Sequence, residues 1–145
     1  MSRRPVTLRA QAEELANQAH SRRLAELQAM DPLLQHLEAL CPQLQAAGVQ
    51  LYAENLSLMH LTVAGVRRKV LRVPSYFSSG PNSQMARWVE APLAHGFAPV
   101  RCDEATRVYP TAVLRRGPLL VCVGVTEADA ADLCRRVDAG QKEAA

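Results

Sequence analysis

Apolar positions recur with helical spacing along the first third of the chain. Thr7 is a good N-cap, and residues 8–30 are rich in strong helix formers. The apolar stripe is thin. Leu8, Ala12, Leu15 and Ala19 share one face, and the pattern then shifts to Leu24, Leu27 and Met30. Alanine buries little area, so this helix is expected to protrude, poorly held by its own domain. Asp31-Pro32 combines an N-cap with proline at N1 and predicts a restart. Leu33, Leu34, Leu37, Leu40 and Leu44 then predict a second helix, disturbed at Pro42 and ended at Gly48.

Beyond Gly48 the pattern changes to short apolar runs. Residues 49–53, 56–63 and 66–73, joined by tight turns at Glu54-Asn55 and Ala64-Gly65, predict an antiparallel meander. Residues 74–83 have the composition of a loop. A short helix follows over 84–95, capped by Ser83 and stopped by Gly96, and residues 97–106 look irregular. A hairpin is expected from strands 107–114 and 119–125. The unbroken run Leu119-Leu120-Val121-Cys122-Val123 suits a strand buried on both faces. Thr126 with Asp129 opens a last helix to Val137. Its core stripe is either Ala128, Ala131 and Cys134 or Ala130, Leu133 and Val137.

The expected fold is one α+β domain over residues 1–137. It has two N-terminal helices, a largely antiparallel sheet of about five strands (a three-stranded meander plus a hairpin), one short intervening helix and a C-terminal helix. Residues 1–30 form its long protruding N-terminal helix, and 138–145 a frayed tail.

Composition changes this picture little. The chain has 145 residues, 48% hydrophobic and 21% charged, which suits an ordered domain. Aromatics are only 4%, so the core must be built from Leu, Val and Ala. Ile is absent and 15 Arg stand against 2 Lys, a bias expected of a GC-rich bacterial genome or of a phage or plasmid living in one. No run reaches the roughly 18 apolar residues of a membrane span, and no apolar segment follows the basic start, so a cytoplasmic protein without membrane association is expected. Cys41, Cys102, Cys122 and Cys134 include no Cys-x-x-Cys pair. In that compartment four free, mostly buried thiols are expected.

Candidate chemistry is sparse. No glycine-rich phosphate loop is present, and His20, His36, His60 and His95 lie too far apart in sequence to suggest a metal site. No cofactor is expected. Cys102 near His95 is the best candidate nucleophile, but the adjacent Asp103-Glu104 would raise its pKa and work against a thiolate.

Charge is more informative. Residues 66–116 hold nine Arg or Lys against three acids, whereas the rest of the chain is net acidic. Arg67, Arg68, Lys69 and Arg72 follow one predicted turn, and Arg115-Arg116 form the other, so the two clusters can share one basic surface. Tyr76 and Phe77 stand in an otherwise polar loop, either tucked beneath it or exposed as a contact. The expected function is that of a non-enzymatic protein-interaction module, a small bacterial or mobile-element accessory or inhibitor protein such as an anti-defence protein acting on a host nucleoprotein complex. Its partner-binding residues are Leu8, Arg9, Leu15, Arg22 and Arg23 on the helix, the six basic hairpin residues, and Tyr76 and Phe77. Its partner is a protein or a second copy of the chain. The alternative is a nucleic-acid-binding protein that uses the basic hairpins at 67–72 and 115–116.

Overall fold

The computed structural model describes residues 6–53, 56–73, 84–103 and 110–144. The elements are α1 (Leu8–Ala46), β1 (Ser57–Val63), β2 (Val66–Arg72), α2 (Gln84–Ala94), β3 (Ala98–Asp103), β4 (Thr111–Arg116), β5 (Leu119–Gly124) and α3 (Glu127–Ala144). The protein is therefore α+β, with three helices and one five-stranded mixed sheet.

One helix replaces the two expected at the N-terminus: α1 runs unbroken for 39 residues through Pro32 and Pro42. Met30, Leu33, Leu37, Leu40 and Leu44 form one buried stripe that spans both prolines. A helix-interior proline costs roughly 3 kcal/mol. Burying each of these five side chains returns about 1.5–3 kcal/mol, so continuity wins. Asp31 does not cap a new helix. Its carboxylate instead accepts from the Gln35 side-chain amide at 2.8 Å. The helix ends where expected, with Gly48 in the left-handed region at φ +90°.

The strand order is β1-β2-β5-β4-β3. The five strands are not the five expected ones. Residues 49–53 form no strand, and residues 98–103, expected to be irregular, supply β3. Pro99 and the charged Arg101 and Asp103 disguise β3 in the sequence. It is an edge strand whose register shifts between Pro99 and Arg101, which is where a sheet tolerates proline. The meander is consequently β3-β4-β5 and the hairpin is β1-β2, the reverse of the expected order. The pairing of β2 with β5 is parallel, with Leu71 beside Val121. Residues 107–109 of the expected fourth strand and the Glu54-Asn55 turn lie outside the described residues, as does the loop 74–83.

Position β5 is central and buried along its whole length. Leu119, Val121 and Val123 point to the face covered by the helices, where they join the α1 stripe, Trp88 of α2 and Leu133 of α3. The stripe that α3 buries is Ala130, Leu133 and Val137, while Ala128 and Ala131 are exposed. Thr126 caps it by accepting from the Asp129 amide at 3.2 Å. The helix continues to Ala144 where a frayed tail was expected, because Ala139 and residues 141–144 are strong helix formers.

The opposite face holds a separate cluster of Val63, Val70, Val113, Leu120 and Cys122, with Met59, Leu61 and Val100 partly buried around it. It is built from strands alone, and the sheet's curvature accounts for its burial. Arg101 on edge strand β3 donates through Nη1 to the Thr62 carbonyl on the opposite edge strand β1, at 3.0 Å. In a flat sheet those edges would lie about 19 Å apart, four strand spacings. The sheet is therefore rolled towards a half-barrel, with helices outside and a small aliphatic cluster inside.

Trp88 is 1% exposed and its indole Nε1 is buried without a hydrogen-bond partner among the described residues. An unpaired buried donor costs about 1–3 kcal/mol. Trp88→Phe removes that donor while losing some volume, so its stability is expected to stay within about 1 kcal/mol of the native chain. Trp88→Ala should cost about 3–5 kcal/mol. Urea unfolding of both variants checks the pair, and equal losses would contradict it.

Candidate partner-binding surfaces

The start of α1 stands clear of the domain. Thr7 caps it by accepting from the Ala10 amide at 3.1 Å, and every residue from Val6 to Arg22 is exposed. At 1.5 Å per residue, Leu8 to Arg22 extends about 22 Å. Leu8 and Leu15 are 83% and 65% exposed, so the stripe seen in the sequence covers nothing within the chain. Arg9 pairs with Glu13 one turn on, and Gln18 donates to Glu14. Arg22 is exposed alongside them.

Arg23 is the root of this projection. Its guanidinium donates to the Leu56 carbonyl at 2.9 Å and the Ala53 carbonyl at 3.5 Å, and it pairs with Glu26. It holds the helix to the segment before β1. Of the five helix residues singled out in the sequence, Leu8, Arg9, Leu15 and Arg22 are on the projection and Arg23 fastens it.

The basic residues converge at one end of the sheet because of the parallel β2–β5 pairing. Both strands begin just after a hairpin turn, Ala64-Gly65 for β2 and Gly117-Pro118 for β5, so both turns lie at the same end. Arg67, Arg68 and Lys69 flank the first turn, Arg115 and Arg116 the second, and all five are exposed. Among the described residues none has a carboxylate within ion-pair distance. Arg72 is at the far end of β2 beside Cys122, apart from the other five. Tyr76 and Phe77 lie outside the described residues.

A groove of about 560 Å³ opens at this end, at the mouth of the rolled sheet. Val63, Val100 and Leu120 contribute apolar lining, and Arg68, Lys69 and Arg115 contribute charge. One wall is α1 at Ala29, Pro32 and Leu33. The sequence marked the cations but not the groove, which depends on the roll of the sheet and on the unforeseen strand β3.

The expectation of four free thiols is overturned for two of them: Cys102 on β3 and Cys134 on α3 form a disulfide, with Cα atoms 5.2 Å apart. Their separation of 32 residues hid the pairing, which only the β3–α3 packing creates. Cys102 therefore carries no free thiol, and the cytoplasmic expectation loses its support from cysteine usage. Cys41 and Cys122 remain free. Burial pushes both thiols above the ordinary value, with Glu38 adding to the effect at Cys41. A thiol assay in denaturant is expected to find two thiols without reductant and four with it.

Among the described residues no three His, Cys, Asp or Glu side chains are grouped to hold a metal ion. No described helix is long and apolar enough to cross a membrane. Comparison of the chain with protein-family models, curated proteins and solved structures gives no match.

Proposed function

We propose that the chain is a non-enzymatic protein-interaction module whose N-terminal helix is its docking element. The observation that carries this reading is the projection itself. Four turns of capped, regular helix expose Leu8 and Leu15 and contribute nothing to the core. An isolated helix of this length is marginal in water, so a packed partner would stabilise it. A groove on a partner that accepts residues spaced i, i+4, i+7 and i+11 fits Leu8, Ala12, Leu15 and Ala19. Over residues 8–22 Arg9, Arg22, Glu13 and Glu14 balance in charge, which leaves the apolar stripe as the distinguishing feature of that face.

A second reading, a polyanion-binding surface, is favoured by the five cations at the hairpin end, none of which has a carboxylate partner among the described residues. Affinity capture from a bacterial lysate with and without nuclease separates the two. Capture that survives nuclease and is lost in the Leu8→Glu/Leu15→Glu variant supports the helix reading. Capture abolished by nuclease and indifferent to that variant overturns it.

A further inference from the structure

The groove at the hairpin end differs in chemistry from the projecting helix and is not explained by it. Its lining combines aliphatic side chains, Val63, Val100 and Leu120, with the cationic groups of Arg68, Lys69 and Arg115. We infer that this groove binds an acidic polypeptide segment that carries an apolar anchor residue, the carboxylates meeting the cations and the anchor entering the mouth of the rolled sheet.

Three observations lead there. The first is charge. Like charges crowded together repel, and none of the three rim cations has a carboxylate partner among the described residues, so an anionic occupant relieves the repulsion. The second is extent. Arg68 and Lys69 on β2 and Arg115 on β4 stand on strands separated by β5, about 10 Å apart, beyond the reach of a single small anion. Several carboxylates along an extended chain match that spread. The third is the lining. Nucleic-acid surfaces offer aromatic platforms for base stacking or polar groups for base edges. This groove offers aliphatic carbon, which rewards burial of a Leu, Val or Phe side chain.

Roll and cations are linked through Arg101. Its bond to the Thr62 carbonyl joins the sheet's edges near the groove, and its ion pair with Asp103 at 3.1 Å keeps it out of the free basic set. The groove is thus shaped by one arginine and charged by others.

The test uses fluorescence anisotropy on the full chain with three labelled probes. These are a short poly-glutamate peptide with one central leucine, the same peptide with serine in its place, and a single-stranded oligodeoxynucleotide of equal charge. The leucine peptide is expected to bind about tenfold tighter than the serine peptide, the gain from burying one such side chain. It should also outcompete the oligonucleotide, and its affinity should fall steeply as salt screens the rim. Arg68→Glu/Arg115→Glu, both exposed, should weaken it by about tenfold or more with an unchanged melting point. Arg9→Glu on the projection should leave it unchanged, which separates this inference from the helix reading. Equal binding of the two peptides, tighter binding of the oligonucleotide, or no binding of any probe would overturn it.

Discussion

Val121→Asp is expected to abolish stable folding. Val121 is 0% exposed at the centre of β5, and β5 is the middle strand of five. The register places Leu114 on one side of it and Leu71 on the other, both also 0% exposed. A carboxylate there would be enclosed by the apolar side chains of the helix-side core. Burial of an unpaired charge costs several kcal/mol, a large share of the roughly 5–15 kcal/mol that holds a domain of this size together. Val66→Asp serves as the control, since Val66 begins β2 and is 50% exposed. It should change stability by less than about 1 kcal/mol. Urea midpoints measure both, and a soluble Val121→Asp protein with a native midpoint would show that β5 is not the core strand.

Loss of the Cys102–Cys134 disulfide has the second-largest expected effect. The bond closes a loop of 32 residues that contains the end of β3, β4, β5 and the start of α3. Constraining the unfolded chain over a loop of that length stabilises the fold by about 3–4 kcal/mol. For a chain of this size the melting point should fall by roughly 10 °C. Cys102→Ser, Cys134→Ser and reductant on the native chain should each produce the same fall, and reductant should add nothing to either variant. A melting point indifferent to reductant would contradict the bond.

Much of the fold was legible because local signals agreed with tertiary demand. The leucines at 33, 37, 40 and 44, the caps at Thr7 and Thr126, and the unbroken 119–123 run each meant in the structure what they meant in the sequence. Misreadings arose where packing overrode a local rule. Pro32 carries a helix-start signature, yet the buried stripe on either side of it keeps α1 continuous. Pro99 and Arg101 have the composition of a loop, yet an edge position with a register shift accepts both.

The candidate surfaces divide in the same way. The thin stripe of Leu8, Ala12, Leu15 and Ala19 exposes the projection in advance, because alanine cannot bury much area wherever it packs. The hairpin cations were visible as a cluster, but their convergence depends on the parallel β2–β5 pairing, which sequence spacing does not encode. The groove, the roll of the sheet and the disulfide all depend on contacts of β3, at residues 100, 101 and 102, with elements far away in sequence. Arg23 looked like a free cation and is instead a fastener, because its partners are backbone carbonyls 30 and 33 residues on.

If the start of α1 serves binding and not folding, the domain should fold without it. The most direct measurement is the thermal melt of the chain lacking residues 1–20, compared with the full chain. Removal stops short of Arg23 and of Met30, the first fully buried side chain of α1. A cooperative transition within about 2 °C of the full chain is expected, since residues 6–20 are all exposed. A truncated chain that precipitates, unfolds or melts many degrees lower would show that the helix belongs to the core, and the docking reading would fail with it.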